Sequence, residues 1–364
     1  MKRILTCVGT RPNLIKISKL QSCISNYDNL EHKLLHTGQH FDHQMNEIFF
    51  KQLGMKEPDV FLNIQGSGQI QVIAEIMKAF EKELLEIKPD LVLVPGDVNS
   101  SLACALVAQR HGIPVGHIES GLRSGDMTMP EEVNRILIDE LSSIFFITEK
   151  SGQENLEKLG KDKSSLVFTG NTMIDSLELS KEMIAQSSVL DELKLKPKEY
   201  ALVTFHRPQN VDRPEDLQKV IDILKMAANK IHVVFPMHPR TRKNLEQFGM
   251  QAELDHPNIT TVGPLGYIDF MSLIQNSRLV LTDSGGVQEE TTYLEVPCLT
   301  VRPNTERPIT IELGTNTLVN LDVDRISSLI DDIIEGSYKS GSIPPMWDGN
   351  ATERMVKAIN DFLS

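Results

Sequence analysis

The sequence is poor in positive charge and in long apolar runs. Its 37 lysines and arginines are outnumbered by 50 aspartates and glutamates, which gives a formal net charge of −13. This balance argues against a broad basic face for nucleic acid or an anionic membrane. No apolar run approaches the roughly 18 residues of a membrane span, and Gly9 and Pro12 interrupt the apolar start too early for a signal peptide. We therefore expect a cytoplasmic protein with no nucleic-acid or membrane partner.

Cysteine and the common cofactor signatures are also scarce. Cys7, Cys23, Cys104 and Cys298 have no CxxC or metal-type spacing, which predicts buried thiols in a reducing compartment. The GxGxxG pattern of nicotinamide-binding proteins and the GK[ST] ending of a Walker A loop are both missing. We expect neither a metal nor a nicotinamide cofactor.

Short strand-like runs alternate with longer amphipathic segments. Runs such as "ILTCVG", "DLVLVPGD" and "YALVTFHRP" are each followed by a helical pattern, which is typical of βαβ units around a parallel sheet. The 364 residues suit two domains. We predict two Rossmann-like, doubly wound α/β domains. The first contains residues 1–175, with a C-terminal helix 350–364 packing back on it, and the second contains residues 176–349.

Charged and glycine-rich segments follow many of the predicted strands. Ligands of doubly wound sheets bind at the carboxyl ends of the strands, so these segments are the candidate site. Carboxylates beside cations at such an edge suit proton transfer on a substrate that carries phosphate. The first half contributes Arg11, Lys16, Asp97, Glu119, Glu131 and Arg135. The second half contributes His206, His238, Ser284, Gly285, Gly286, Glu290 and Arg307.

Each of these residues also has an ordinary structural explanation. Asp97 could be a turn residue or a helix cap. Glu131 lies in an apparent first helical turn, where the helix dipole favours a carboxylate, and it precedes Arg135 by the four residues of a stabilising pair. A single histidine such as His206 is more often a hydrogen-bonded structural residue. The convergence of all of them on one sheet edge favours function.

The segment "DSGGVQEE" combines a glycine turn with paired acids. Ser284, Gly285 and Gly286 can present backbone N–H groups at a helix start to a diphosphate. A glutamate one turn later can accept hydrogen bonds from ribose hydroxyls. The alternative is a simple strand-to-helix turn with solvated acids.

Eight motifs occur in order between Gly9 and about Gly314: "GTRPNLIK", "HTGQH", "GDVNSSLA", "GHIESGLRSGD…MPEEVNR", "TGNTMID", "TFHRPQN", "DSGGVQEE" and "NTERP". Together they resemble the non-hydrolysing UDP-N-acetylglucosamine 2-epimerases. The resemblance implies a glycosyltransferase-B-like fold, an active site in the interdomain cleft, a homodimer and a role in polysaccharide biosynthesis. It also implies interconversion of UDP-N-acetylglucosamine and UDP-N-acetylmannosamine without NAD or metal. The implied route is anti elimination of UDP to a 2-acetamidoglucal, followed by re-addition.

The resemblance assigns roles to individual positions. Asp97, Glu119 and Glu131 match the catalytic carboxylates, and His206 matches a histidine near the diphosphate. Which carboxylate removes the C2 proton and which returns one stays open. The implied substrate contacts, with Glu290 as the ribose partner, are Arg11, Lys16, Arg135, His238, Ser284, Gly285, Gly286, Glu290 and Arg307.

Some positions depart from the family pattern. Gln39 and Gln69 match an activator site for a second substrate molecule, but Asp42 and Gly68 stand where a glutamine and an arginine are expected. This predicts that the activator site is incomplete. The short loop after Glu119 is similar to that of relatives that epimerise modified sugars such as UDP-2,3-diacetamido-glucuronate, whereas "NTERP" favours the acetylglucosamine enzymes.

Three further alternatives stay open. A glycosyltransferase on the same architecture would share the UDP-binding half, but it does not account for the carboxylates of the first half. A non-catalytic nucleotide-sugar-binding protein would be expected to lack some of the catalytic set. A hydrolysing epimerase is disfavoured by "GTRPNLIK", which resembles the non-hydrolysing branch.

Overall fold

The computed structural model describes residues 1–38, 50, 53–64 and 68–364. The chain divides into two compact units, Met1–Ser180 with Pro345–Ser364, and Lys181–Pro344. All four cysteines are buried and free. Within the described residues, no helix combines the length and apolar character that crossing a membrane requires.

The first unit is built on a seven-stranded parallel sheet with the order β3-β2-β1-β4-β5-β6-β7. The strands are β1 Lys2–Val8, β2 Leu30–His36, β3 Val60–Phe61, β4 Leu91–Pro95, β5 Val115–Ile118, β6 Ile144–Ile147 and β7 Leu166–Phe168. The described helices of this unit are Arg11–Ile17, Leu20–Ile24, Gln69–Ile87, Asn99–Arg110, Pro130–Leu141, Lys150–Lys158, Thr172–Leu179 and Ala351–Leu363.

The strands of this sheet are apolar, and helices cover them. Every residue of β4 is buried, as expected for a parallel strand with both faces covered. Helix Gln69–Ile87 buries Ile76, Phe80 and Leu84, whose four-residue spacing forms one apolar stripe. The core of the first unit therefore follows directly from the apolar pattern of strand and helix.

The C-terminal segment completes the first unit. Trp347 is buried, and its Nε1–H donates to the Thr148 carbonyl at 3.0 Å. The Asp175 carboxylate accepts from the backbone N–H groups of Ala351 and Thr352 at 3.0 and 2.6 Å, which caps helix Ala351–Leu363.

The second unit is built on a six-stranded parallel sheet with the order β10-β9-β8-β11-β12-β13. The strands are β8 Tyr200–Thr204, β9 His232–Pro236, β10 Ile259–Val262, β11 Leu279–Thr282, β12 Cys298–Val301 and β13 Asn316–Val319. The helices are Lys181–Ala185, Val189–Glu192, Pro208–Val211, Pro214–Ala228, Pro239–Phe248, Tyr267–Asn276, Gly285–Tyr293, Ile309–Glu312 and Val323–Glu335.

In both sheets the strand order changes direction at the first strand of the unit. In the first unit β1 lies between β2 and β4, and in the second β8 lies between β9 and β11. This strand order confirms the prediction of two doubly wound α/β domains. Such a reversal opens a crevice at the carboxyl ends of the two central strands, where ligands bind. The segments that follow β1, β4, β8 and β11 are therefore the first places to look for function.

Candidate active site

Asn13 ties the end of β1 to the end of β4. Its Oδ1 accepts from the backbone N–H groups of Gly9 and Thr10, both at 3.2 Å, and its amide donates to the Pro95 carbonyl at 2.9 Å. Thr10 is the N-cap of helix Arg11–Ile17, with Pro12 in the first turn. These bonds explain why "GTRPN" forms a fixed turn at the switch point.

Lys16 and Glu119 form a buried ion pair at this edge of the first sheet. The exposed fractions of their side chains are 10% and 6%. Glu119 directly follows β5 and has a φ of 71°, a left-handed conformation that is strained for a glutamate. The Gly96 turn lies against the pair, since a Cβ at Gly96 would stand 2.8 Å from Lys16 Nζ. A glycine is needed there for this close approach and for its own φ of 62°.

Asp97 is held by Arg135. The Arg135 Nε–H donates to Asp97 Oδ2 at 3.1 Å, and the Nη2 group of the same guanidinium pairs with the same oxygen. Arg135 is buried and also contacts Glu132 at 2.8 Å. The structure thus places Arg135, expected to bind substrate, as the direct partner of a predicted catalytic carboxylate.

Glu131 and Glu132 begin helix Pro130–Leu141 but differ in environment. Glu131 is exposed, whereas Glu132 is 1% exposed. The Glu132 carboxylate accepts from Ser124 N at 2.9 Å and from Gly125 N at 3.0 Å. Glu132 therefore anchors the loop that follows β5, and Glu131 is the carboxylate of the pair that faces solvent.

Asp283 organises the end of β11 in the second unit. Its buried carboxylate accepts from the backbone N–H groups of His206 and Arg207 at 3.0 and 2.9 Å, and from the Asn210 amide at 3.0 Å. It also contacts His206 Nδ1 at 2.9 Å. Burial alone would raise the pKa of Asp283, but the His206 contact and these donors hold it below its usual range.

His206 lies beside His238. Their ring centroids are 5.3 Å apart, and His238 is the N-cap of helix Pro239–Phe248. Partial burial, together with the charges of His206 and Arg240, lowers the pKa of His238. The ends of β8 and β9 thus bring both predicted histidines together.

The predicted diphosphate turn is a helix N-terminus. Ser284 is the N-cap of helix Gly285–Tyr293, and the first N–H groups of such a helix are available to an anion. A Cβ at Gly285 would stand 2.9 Å from Glu306 Oε1 and 3.2 Å from Arg307 Nη1. The glycine therefore allows this close approach to a buried group of charges.

The buried group of charges beside Gly285 alternates between positive and negative side chains. Arg307 contacts Glu289 at 2.7 Å and pairs with Glu306, which in turn contacts Arg302 at 2.8 Å. All four residues are at least 94% buried. Arg307, expected to bind UDP, thus lies within an ion-pair network beneath the turn.

Glu290 is 4% exposed. Burial, reinforced by the charge of Glu289, raises the pKa of Glu290 to about 8. The alternative of solvated acids after the glycine turn is therefore wrong, because both glutamates lie inside the unit, where the helix packs against β12 and β13.

The predicted activator positions are only partly described. Gln39 and Asp42 lie outside the described residues. Gly68 and Gln69 are exposed at the start of helix Gln69–Ile87.

Arg11 is half-buried in the first turn of its helix. In the part of the chain that the structure describes, no group of three or more His, Cys, Asp or Glu residues could hold a metal ion.

Sequence reasoning gave no role to several residues that shape the site. Asp283 could have been found as the acid directly after a buried strand, and Asn13 as the amide within the first motif. Arg302 lies two residues before the "NTER" segment, and Glu306 lies within it. His117 lies at a predicted strand end, but its pairing with Asp139 has no local signal, because it depends on the packing of β5 with helix Pro130–Leu141.

Carboxylates paired with cations at one switch point, and a glycine-rich helix N-terminus at the other, are the features of a two-domain α/β enzyme for a phosphate-bearing substrate. The chain belongs to the UDP-N-acetylglucosamine 2-epimerase family, which matches residues 23–360. Members of this family are isomerases, and so is this enzyme.

Individual relatives cover nearly the whole chain. The UDP-N-acetylglucosamine 2-epimerase of Methanococcus maripaludis is 37% identical over 366 residues, 99% of this chain and 98% of that protein. The UDP-2,3-diacetamido-2,3-dideoxy-D-glucuronate 2-epimerase of Pseudomonas aeruginosa is 39% identical over 327 residues, 89% of this chain and 90% of that protein. The Methanocaldococcus jannaschii UDP-GlcNAc 2-epimerase, solved in complex with UDP-GlcNAc and UDP, has a TM-score of 0.91 at 35% identity and 99% coverage of both chains.

A more distant likeness concerns the fold alone. The calicheamicin glycosyltransferase CalG4 matches with a TM-score of 0.54 at 14% identity, covering 100% of this chain and 98% of that chain. The predicted glycosyltransferase-B-like fold is confirmed.

Proposed function

We propose that this enzyme interconverts UDP-N-acetylglucosamine and UDP-N-acetylmannosamine without releasing free sugar. The observation that carries the proposal is the arrangement of Asp97 and Glu119 at the switch point of the first sheet. Each carboxylate is paired with a buried cation, Arg135 or Lys16. Such pairing fixes the orientation of the carboxylates.

The reaction requires proton transfer on both faces of C2. Anti elimination breaks the C2–H bond and the bond from C1 to the UDP oxygen, and it forms a C1–C2 double bond. Re-addition of UDP to C1 then takes a proton on the opposite face of C2. Asp97, Glu119 and Glu131 are the groups that we propose for these transfers and for holding the sugar. General acid–base catalysis of this kind contributes about 100- to 10,000-fold.

The second unit supplies the proposed nucleotide contacts. The helix N-terminus at Ser284, Gly285 and Gly286 suits the diphosphate. His206, held by Asp283, suits the charge that develops on departing UDP. Glu290 is the proposed ribose partner. Five basic residues complete the proposed substrate contacts: Arg11, His238, Lys16, Arg135 and Arg307. The last three belong to the ion pairs described above.

A modified sugar is the second candidate. The Pseudomonas aeruginosa relative, which is named for UDP-2,3-diacetamido-glucuronate, has 39% identity to this chain. The loop after Glu119 is short, and Glu132 fixes it through Ser124 and Gly125. The same chemistry at C2 would apply to that sugar, so one assay can compare both substrates.

We further propose that the enzyme is a homodimer, that it works in the cytoplasm, and that it serves polysaccharide biosynthesis. The family membership supports all three. Light scattering of the purified protein tests the first, because a monomer would have 40.8 kDa.

Proton NMR in heavy water tests the activity. The purified protein is mixed with UDP-N-acetylglucosamine, with a chelator present and no added NAD. We expect UDP-N-acetylmannosamine to form, with deuterium at C2 of both epimers and little free sugar. Absence of exchange with this sugar, but exchange with the diacetamido-glucuronate, would select the second candidate. Release of free N-acetylmannosamine would contradict the non-hydrolysing route.

A further inference from the structure

His117 is a fully buried histidine whose two ring nitrogens both have polar partners. It lies on β5, two residues before Glu119, and its exposed fraction is 0%. Its Nε2 lies 3.0 Å from the Gly96 carbonyl, and its Nδ1 lies 2.7 Å from Asp139 Oδ1. Because a carbonyl can only accept, the Nε2–H donates to Gly96.

Asp139 connects this histidine to two further segments. It lies on helix Pro130–Leu141, and its Oδ2 contacts Arg123 Nη1 at 2.6 Å and accepts from Gly121 N at 3.2 Å. Burial by itself would raise the pKa of Asp139, but the contacts with His117 and Arg123 hold it below its usual range. Asp139 thus joins His117 to Arg123 and to the backbone of Gly121.

The Gly96 carbonyl belongs to the turn that presents Asp97. Gly96 has a φ of 62°, and a Cβ at this position would stand 3.4 Å from Glu119 Oε2. A small movement of the turn would therefore shift Asp97 relative to Glu119. The His117 bond crosses from β5 to this turn, between the segments that contain the two carboxylates.

We infer that His117 is a positioning residue for the epimerisation, which fixes the Gly96 turn so that Asp97 and Glu119 keep their relative placement. The inference rests on the proposed function. A misplacement of about 1 Å at a reacting group can cost on the order of 100-fold in rate. A hydrogen bond from a buried side chain to the turn is the kind of support that prevents such a misplacement.

Two substitutions separate this role from a purely structural one. In His117→Gln, the side-chain amide can stand where Nε2 stands and can donate to Gly96, but it loses the Asp139 contact. In His117→Asn, the shorter amide can reach Asp139 but not Gly96. Positioning predicts that the glutamine variant keeps most of its turnover and that the asparagine variant does not. A role limited to pairing Asp139 predicts the reverse order.

The experiment measures kcat and KM by the NMR assay, the Kd for UDP by calorimetry, and thermal unfolding. We expect His117→Asn to lose about 100-fold in kcat, with little change in the Kd for UDP, and His117→Gln to stay within about tenfold of wild type. His111→Asn is the matched control, since His111 pairs with Glu81 on the surface, and it should behave as wild type. Equal losses in both His117 variants, or losses that follow the unfolding temperature, would overturn the inference.

A second readout does not depend on turnover. Hydrogen exchange of the peptide that contains Gly96 and Asp97 should become faster in His117→Asn and stay close to wild type in His117→Gln. If the wild-type protein epimerises neither sugar, the proposed function fails, and this exchange comparison still decides whether His117 holds the turn. Unchanged exchange in both variants would reject the inference even in an active enzyme.

Discussion

Lys16 and Glu119, 103 residues apart in the chain, form an ion pair that is almost completely buried. The resemblance to the family led to separate expectations, with Lys16 as a substrate contact and Glu119 as a catalytic carboxylate. Their pairing links stability to the proposed catalytic role of Glu119, because either charge would be costly without the other.

We expect Glu119→Gln to destabilise the protein as well as to stop turnover. Removal of one partner from a buried pair costs about 3–5 kcal/mol, because the remaining charge stays buried. The double variant Lys16→Met with Glu119→Gln should be more stable than Glu119→Gln alone. Urea unfolding of the wild-type protein, Lys16→Met, Glu119→Gln and the double variant measures this double-mutant cycle. Additive losses in the double variant would show that the two side chains do not depend on each other.

Asp97→Asn and Glu131→Gln should each reduce turnover by about 100- to 10,000-fold and leave the Kd for UDP nearly unchanged. The proposed nucleotide contacts lie mainly in the second unit, and these two carboxylates belong to the first. The NMR assay and calorimetry measure the two quantities. Glu140→Gln, an exposed change on the same helix as Glu131, is the control. Near-normal turnover in either site variant would remove that carboxylate from the mechanism.

Replacement of Glu290 should change how stability depends on pH. Its pKa is raised from 4.5 to about 8, so the native state binds this proton more tightly than the unfolded chain. The resulting stabilisation is complete below about pH 4.5 and is lost as the pH rises through 8. Relative to Glu290→Gln, the wild-type protein should therefore lose stability across this window, on the order of a few kcal/mol. Urea unfolding at several pH values measures the difference.

Two comparisons check this assignment. Glu246→Gln, at an exposed glutamate of the same unit, should show no such pH-dependent difference. Glu290→Ala should weaken UDP binding by up to about tenfold, since a hydrogen bond of an uncharged group is worth about 0.5–1.5 kcal/mol. If the stabilities of wild type and Glu290→Gln depend on pH in the same way, the raised pKa that follows from the burial of Glu290 is contradicted. If Glu290→Ala leaves the Kd for UDP unchanged, the ribose role is contradicted.

The initial rate should rise hyperbolically with substrate concentration. Asp42 and Gly68 replace two of the expected activator residues, and the exposed Gly68 has no side chain that could contact a second substrate molecule. Without a second site there is no coupling between ligands. A sigmoidal curve, measured by the release of product at early times, would show that activation persists.

The sequence was sufficient to predict two parallel sheets and the segments that form the candidate site. Apolar runs such as β4 and β11 must be buried, and polar residues directly after them, including Asp97 and Ser284, must emerge at the carboxyl edge. The local pattern of apolar and polar residues determines both the burial of the strands and the position of the residues that follow them. The strand-end rule therefore selected the segments without any knowledge of their contacts.

Side-chain partners could not be predicted in the same way. The contact of Arg135 with Asp97 joins residues 38 positions apart, and the contact of His117 with Asp139 depends on which helix face meets β5. Burial of Glu290 follows from the packing of its helix against β12 and β13. These features come from tertiary packing, which a local pattern does not specify.

The division of the first unit into residues 1–180 and 345–364 also affects the order of folding during synthesis. Trp347, Met355 and Ile359, which are all buried, leave the ribosome after the continuous second unit has been made. Domains generally fold in the order in which they are synthesised, but here the later one is complete first. Until residues 345–364 are made, the amino-terminal part of the first unit lacks the side chains that complete its packing.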